Sequence, residues 1–317
     1  MSDTDAPPEA SGSRASGGQA SGGGFSPAPL RARLARGVEG LARRAVELVP
    51  DPQPPLTPTR YPVVLLHGFG ALANLMQGGV LHSEAMHLRA RGIHAYAPHA
   101  NPYDTVAVRC ATWDAHLRRA QEETGAERLN VIGFSSGGLD ARFLAREMGW
   151  AGRFASVVTV STPHRGTPLA RFVLERPERL KRWAVGVMDF VGRAAYELAP
   201  PASEAALEEL SPEGVAAAFP PEALVPDAWC ASFVGRAGKG TRVPITPSLA
   251  VPNRVIHRAS GVNDGIVPTD GGWWGERLGT LDADHARQIG LHFLNDSGFD
   301  SRRFFLSICE RLRAKGL

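Results

Sequence analysis

The segment G-F-S-S-G at residues 133–137 places Ser135 in the G-x-S-x-G spacing. A short apolar run precedes it and a helical pattern follows, which predicts a tight turn from a strand into a helix. Such a turn exposes the serine Oγ, and the flanking glycines leave room for neighbouring chain. We therefore predict that Ser135 is a nucleophile. Ser136 is excluded because Phe134 stands where its upstream glycine should be.

A nucleophilic serine needs a histidine base and a carboxylate that orients it. Asp264 lies in the turn segment N-D-G-I-V-P, which we expect to follow a strand, and His285 lies in L-D-A-D-H at the expected start of the C-terminal helix. The chain order serine, aspartate, histidine predicts Asp264 as the acid and His285 as the base. His257 precedes the aspartate and is excluded. The alternative for Asp264 is a turn-forming aspartate before glycine.

Short apolar runs alternate with helical segments around these residues, which is typical of a mostly parallel sheet flanked by helices, an α/β protein. The expected strands cover residues 62–66, 93–97, 129–134, 155–160 and 254–259. The expected helices cover residues 83–91, 106–123 and 143–149. Ser135 directly follows the third strand, as its proposed role requires.

The alternation lapses between about 166 and 250, which indicates an insertion. Apolar residues recur there at helical spacing, at Leu180, Trp183, Val187, Phe190, Val191, Ala194 and Leu198. This stripe predicts a helical cap or lid over the sheet. The alternative is an ordinary helix packed on the core.

The chain before the α/β region divides into two parts. Residues 11–29 are almost entirely glycine, serine, alanine and proline, so residues 1–29 are predicted to be a disordered leader. Residues 30–60 combine a basic amphipathic helix at 30–49 with a Pro-rich linker. The helix could dock on its own domain or contact an anionic membrane surface peripherally, together with the cap. Residues 61–317 form the α/β domain.

Composition excludes several classes of protein. The 317 residues carry 35 Lys+Arg against 32 Asp+Glu, and a net charge of +3 without a basic-aromatic motif does not indicate nucleic-acid binding. The 3 scattered cysteines predict reduced, buried thiols, and no zinc-ligand spacing occurs. The acidic first ten residues, with no apolar stretch after them, predict no signal peptide and a cytoplasmic or unconventionally exported protein.

Four motifs occur in order along the chain: YPVVLLHGFG, NVIGFSSGGLDARFLA, ASVVTVSTPHRGTPLA and NDGIVP with a later DH. Together they resemble the bacterial true lipases, the family I triacylglycerol lipases. The resemblance runs from about Tyr61 to the C-terminus and is loosest in the cap. It implies an α/β-hydrolase fold with a mobile lid, and it places the triad on the same serine, aspartate and histidine. The segment H-G-F-G at 67–70 ends the first core strand, where this fold draws an oxyanion donor. The predicted oxyanion hole is the backbone N–H groups of Phe69 and Ser136, and His67 is interpreted as structural.

Three features of the family pattern are missing from this sequence. Phe134 replaces the usual histidine before the nucleophile, and Thr269 and Asp270 offer no cysteine for a disulfide. The calcium ligand two residues after the histidine is replaced by Arg287, so we expect no metal and no cofactor. We expect Arg287 to pair with Asp270 or Asp282 and so to brace the histidine loop.

The expected activity is that of a serine ester hydrolase, a lipase acting on acylglycerols or other long-acyl esters through an acyl-enzyme. The apolar stripe in the cap favours such substrates. The alternatives are a short-chain carboxylesterase, a thioesterase or an acyltransferase with the same triad. A non-catalytic lipid-binding protein is the remaining alternative, and the complete triad argues against it.

Overall fold

A computed structural model describes residues 55–68, 79–179, 202–220, 222–291 and 298–317. In these residues the central sheet has six parallel strands in the order β2-β1-β3-β4-β5-β6. The strands are β1 Val63–Leu66, β2 Ala95–Tyr96, β3 Leu129–Phe134, β4 Phe154–Val160, β5 Trp229–Gly235 and β6 Glu276–Leu281.

Helices connect and cover these strands. They are α1 His82–Arg89, α2 Val106–Thr124, α3 Gly137–Glu147, α4 Pro168–Leu174, α5 Ser203–Leu210, α6 Pro212–Ala218, α7 Ala250–Ser260 and α8 Ser301–Ala314. Short 3-10 turns cover Pro247–Leu249, Asp270–Gly272 and Arg287–Ile289. Within the described ranges, no helix has both the length and the apolar character to cross a bilayer.

Both faces of the central strands β3 and β4 are buried, which explains why these strands are mostly apolar. Successive β1 residues alternate between two apolar clusters: Val64 and Leu66 face one, whereas Val63 and Leu65 face the other. The first cluster includes Trp113 and Leu117 of α2 and Leu139 and Leu144 of α3. The second includes Leu88 of α1 and Phe305, Ile308 and Leu312 of α8. The sheet therefore lies between two helical layers.

The parallel register brings several loops to one edge of the sheet. Leu66 pairs with Gly133, so the chain leaving β1 passes beside the residue that follows β3. The chain leaving β5 continues through α7 to Asp264, and the chain leaving β6 leads directly to His285. Ser135 and His285 thus follow strands at their carboxyl ends, where α/β sheets bind ligands, and Asp264 reaches the same edge from β5 through α7.

Most of the predicted elements before residue 166 are found close to their expected bounds. The strand predicted at 129–134 is β3, and the strand predicted at 155–160 is β4, one residue longer. The cysteines at 110, 230 and 309 are all buried free thiols, as expected.

Two predictions about the later elements are wrong. Residues 254–259, expected to be a strand, belong to helix α7, where burial falls on Asn253 and Ile256, three residues apart, as on one face of a helix. The expected cap range of 166–250 contains β5, Trp229–Gly235, which is a strand inside the sheet and not part of a cap. Strand β6 was not predicted, because five of its six residues are not buried and it lacks an apolar run.

Several predictions concern residues outside the described ranges. They are the leader at 1–29, the basic helix at 30–49 and the linker up to residue 54, the oxyanion donor Phe69, and the apolar cap stripe from Leu180 to Leu198. These remain predictions from the sequence.

Candidate active site

Ser135 lies at the turn between β3 and α3 in a left-handed conformation, with φ at 54°. A non-glycine residue rarely adopts this conformation, and it projects the side chain away from the path of the strand. The Ser135 N–H donates to Val160 O at 2.9 Å, and Thr162 Oγ1 donates to Ser135 O at 2.6 Å. Val160 at the end of β4 and Thr162 just after it therefore hold the N–H and the carbonyl of the strained Ser135.

The turn can form because glycines surround it. A Cβ on Gly137 would lie 2.3 Å from Leu66 O, and a Cβ on Gly133 would lie 2.5 Å from the Cα of Gly138. Both distances are below any normal van der Waals contact. The glycines of the G-x-S-x-G motif are thus required for α3 to begin directly against β1, as the sequence predicts.

Ser135, His285 and Asp264 form a continuous hydrogen-bonded chain. His285 Nε2 lies 3.0 Å from Ser135 Oγ, and His285 Nδ1 lies 2.7 Å from Asp264 Oδ2. The aspartate is fully buried, whereas the histidine and serine keep 4% and 5% of their surface exposed. The structure brings all three predicted residues together in the order required for a nucleophile, its base and an orienting acid.

The Asp264 carboxylate is held by its own turn. Asp264 Oδ1 accepts hydrogen bonds from the N–H groups of Ile266 and Val267, and the Asp264 carbonyl accepts one from the N–H of His285. The turn follows helix α7 and not a strand, which corrects the sequence prediction. Asn253 on that helix donates to Asn263 Oδ1, so α7 also fixes the residue before the acid.

Burial would favour protonation of the Asp264 carboxyl, but the attraction of His285 and its hydrogen bond act in the opposite direction. The N–H groups of Val267 and Ile266 add to them, and together they hold the pKa of Asp264 below its usual value. The carboxylate is therefore ionised at neutral pH, as an acid that stabilises an imidazolium must be.

His285 lies in a loop between β6 and the 3-10 turn Arg287–Ile289, and not at the start of the C-terminal helix, which begins only at Ser301. The reason is that the 3-10 turn ends at Gly290, whose φ of 78° stops a helix there. The ring of Phe134 packs 4.6 Å from the ring of His285, centroid to centroid. The phenylalanine that departs from the family pattern thus supports the His285 ring by packing.

Gln288 is a site residue that the sequence analysis missed. Its Nε2 donates to Asp264 Oδ2 at 3.1 Å and to the carbonyl of Ala283 at 3.2 Å. The same carboxylate oxygen therefore accepts from both His285 and Gln288. The sequence feature that could have identified Gln288 was its spacing of three residues from His285, because one helical turn returns side chains to the same face.

Asp284 and Arg287 are both buried and lie on either side of His285. Arg287 Nη1 lies 3.7 Å from Asp284 Oδ2, so its acidic partner is neither Asp270 nor Asp282 as predicted. Asp282 instead pairs with Arg236 at the surface, at 2.6 Å. The prediction failed because Asp284 is turned inward, where it accepts hydrogen bonds from Thr246.

The Ser136 N–H lies at the N-terminus of α3, next to the serine, as the predicted oxyanion role requires. A Cβ on Gly68 would lie 2.9 Å from Ser136 N and 2.8 Å from Ser135 Oγ. Only glycine at position 68 therefore fits beside Ser135 and Ser136 without a clash. Phe69, the second predicted donor, lies outside the described residues.

His67 is buried and both of its ring nitrogens are engaged. Nδ1 lies 3.0 Å from Gly68 O, and Nε2 accepts the Ala100 N–H at 3.3 Å. Burial, opposed in part by the Gly68 hydrogen bond, lowers the pKa of His67 to about 3, with smaller contributions from Arg109 and His99. These contacts agree with the interpretation of His67 as a structural, neutral histidine.

Part of the chain is similar to known lipases. Over 121 residues it is 33% identical to triacylglycerol lipases of Pseudarthrobacter phenanthrenivorans and Burkholderia plantarii, a match covering 36% of this chain. The matched segment spans only 37% and 33% of those two relatives. No family model matches the chain. The resemblance to bacterial triacylglycerol lipases is confirmed over this segment.

The crystal structure of a metagenomic carboxyl esterase matches with a TM-score of 0.65 at 18% identity, covering 84% of this chain and 80% of that one. The chain has the α/β-hydrolase fold. Within this fold Ser135 follows the central strand β3, Asp264 follows β5 through α7, and His285 follows β6.

Proposed function

We propose that this α/β-hydrolase is a serine ester hydrolase. The observation that carries the proposal is the hydrogen-bonded chain from Asp264 through His285 to Ser135, which ends at a serine with φ of 54°. A surface serine in an ordinary turn would have neither the buried base nor the strained backbone.

The geometry supports a two-step reaction. His285 Nε2 takes the proton of Ser135 Oγ as the oxygen bonds to the acyl carbon, and Asp264 stabilises the imidazolium. The Ser136 N–H, together with the Phe69 N–H expected from the sequence alone, would hold the negative oxygen of the tetrahedral intermediate. The C–O bond to the alcohol then breaks, and His285 returns its proton to the departing alcohol oxygen.

In the second step a water molecule gives a proton to His285 and adds to the acyl carbon. The bond to Ser135 Oγ breaks, the serine recovers its proton and the carboxylic acid is released. The balance of the two steps is ester and water converted to alcohol and acid, with no other reactant.

We further propose that the substrate is an acylglycerol or another long-acyl ester. The similarity to proteins named triacylglycerol lipases supports this assignment. The matched carboxyl esterase structure keeps short-chain ester hydrolysis as the second candidate. Rates on p-nitrophenyl esters from acetate to palmitate distinguish the two: a rate that rises with acyl length, and rises again on emulsified substrate, supports the lipase.

Replacement of the nucleophile tests the proposal directly. Ser135→Ala is expected to lower kcat/KM for a p-nitrophenyl ester by at least about 10⁴-fold, because the attacking oxygen is lost. It is also expected to abolish labelling by a fluorophosphonate probe while the circular dichroism spectrum stays unchanged. Ser307→Ala on α8 is the matched control and should label and react normally. Ester hydrolysis by folded Ser135→Ala at the wild-type rate would refute the proposal.

A further inference from the structure

An ionic cluster beside the catalytic histidine has no role in the reaction steps above. Asp284 and Arg287 show no exposed side-chain surface, and Thr246 is 98% buried. Burying a charged pair costs much of its solvation energy, and apolar residues of similar size often stabilise a protein equally well. The cluster therefore calls for an explanation beyond stability alone.

The contacts of the cluster join two distant segments of the chain. Asp284 Oδ2 accepts hydrogen bonds from the N–H and the hydroxyl of Thr246, at 2.7 and 2.8 Å. Asp284 Oδ1 accepts the N–H of Arg287 at 3.0 Å. Arg287 Nη1 donates to Pro244 O at 2.7 Å and lies 3.7 Å from Asp284 Oδ2. Residues 244–246 are thus connected to residues 284–287.

The histidine depends on such an anchor because it lies in neither a helix nor a strand. Its two ring nitrogens must meet Ser135 and Asp264 at the same time, at 3.0 and 2.7 Å. Misplacement of a catalytic group by about 1 Å can lower a rate by two orders of magnitude. Asp284, one residue before His285, and Arg287, two residues after it, both belong to the cluster.

The cluster also bears on the calcium ion that the lipase resemblance implies. Calcium requires several oxygen ligands, and a guanidinium supplies none and repels the ion. Arg287 stands at the position of the expected carboxylate ligand, with its Nη1 on a backbone carbonyl and near a carboxylate. In the described residues no group of three or more His, Cys, Asp or Glu side chains is arranged to bind a metal. The residues present do not fit a calcium ion.

We propose that Arg287 is a positioning residue, an internal cation that joins the Asp284 carboxylate and the Pro244 carbonyl and thereby fixes the His285 loop without a metal. This inference rests on the proposed function, since the loop it fixes carries the base. It explains why both charges are buried and why they lie on either side of the histidine.

The first experiment compares Arg287→Met with Arg236→Met, assayed at 20 °C where both variants are folded. Arg236 pairs with Asp282 on the same loop but is 48% exposed, so its replacement is a matched control. Arg287→Met is expected to lower kcat by roughly 10- to 100-fold, with KM changed by less than about twofold. It is expected to lower Tm by an amount on the order of 10 °C. Arg236→Met should change neither quantity appreciably, and Arg287→Lys should recover part of the lost kcat.

The second experiment measures Tm and kcat of the wild-type protein with a calcium chelator and with added calcium. Neither treatment is expected to change Tm or kcat. A fall in Tm with chelator that calcium alone reverses would overturn the proposal. The proposal is also overturned if Arg287→Met lowers Tm but keeps wild-type kcat, because the arginine would then only stabilise the fold.

Thr246→Val is the second variant, in case Arg287→Met does not fold. It removes only the hydroxyl donor to Asp284 and keeps the Thr246 N–H, so we expect a fall in kcat of about three- to tenfold. Unchanged kcat in folded Thr246→Val would contradict the cluster's role. If the wild-type protein hydrolyses no ester and resists a fluorophosphonate probe, the proposed function fails. The Tm measurements with chelator and calcium would still decide whether the loop is metal-free.

Discussion

At the scale of single residues, the acid is more firmly oriented than the base. The Asp264 carboxylate accepts four hydrogen bonds, two on each oxygen, from the N–H groups of Ile266 and Val267, from His285 and from Gln288. His285 is oriented mainly by this carboxylate and by packing against Phe134. The orientation of the His285 ring is therefore set by Asp264 and by the groups that donate hydrogen bonds to Asp264.

Gln288 offers a test of this dependence. Gln288→Met keeps the size of the side chain but removes a donor to Asp264, and we expect kcat to fall by roughly three- to tenfold. Gln288→Glu puts a second carboxylate beside Asp264, so we expect a larger fall that grows as pH rises and the new carboxyl ionises. Steady-state kinetics between pH 6 and 9 measure both effects. Equal activity of the two variants at high pH would show that charge at this position is unimportant.

At the scale of elements, the site depends on how closely helix α3 approaches strand β1. The helix begins at Gly137, within contact distance of the carbonyl of Leu66, and Gly68 faces Ser135 from the same side. These close contacts place the positive end of α3 beside the nucleophile, where a developing oxyanion would be stabilised. The close packing of α3 on β1 therefore also provides the electrostatic environment of Ser135.

Gly137→Ala should disturb this packing. Its Cβ would lie 2.3 Å from Leu66 O, so β1 and α3 must separate. We expect the free energy of unfolding to fall by about 2–3 kcal/mol and kcat to fall with it. Gly271→Ala is the control, since its Cβ would make only ordinary contacts, the nearest at 3.5 Å, and should change stability by less than about 1 kcal/mol. Urea unfolding curves of the two variants provide the comparison.

At the scale of the whole molecule, buried neutral histidines make the fold sensitive to acid. Burial lowers the pKa of His67 to about 3, and it lowers the pKa of His164 well below the usual value, with Arg142 and Arg165 adding to the effect. An unfolded chain would bind a proton at each histidine near pH 6.5. Between that pH and the lowered pKa the unfolded state binds more protons, so stability falls as pH decreases.

The contribution of His67 can be isolated by replacement. Its folded pKa of about 3 means that protonation opposes folding over the range from about pH 6.5 to 3. In His67→Gln the slope of unfolding free energy against pH should decrease by up to about 1.4 kcal/mol per pH unit in that range. Urea titrations of the variant and the wild-type protein at several pH values measure the slopes. Identical slopes in the two proteins would contradict the prediction.

Much of this protein was determined by local sequence. Strands β3 and β4 were predictable because both of their faces are buried, which favours mostly apolar sequences. Ser135, Asp264 and His285 were predictable because the glycine-flanked turn and the order of the three residues leave few alternatives. The strand and turn signals are contained in a few neighbouring residues, whereas the order of the three residues is read along the whole domain.

Tertiary structure decided the rest. Strand β6 is mostly not buried, and helix α7 contains the β-branched pair Val255 and Ile256, which is typical of strands, so the states of both elements depend on what they pack against. The choice of Asp284 as the partner of Arg287, and the contact of Gln288 with Asp264, depend on which side chains turn inward once β5 and β6 are paired. The sequence identifies the charged and polar residues, but residues far apart in the chain come within contact distance only when the sheet has formed.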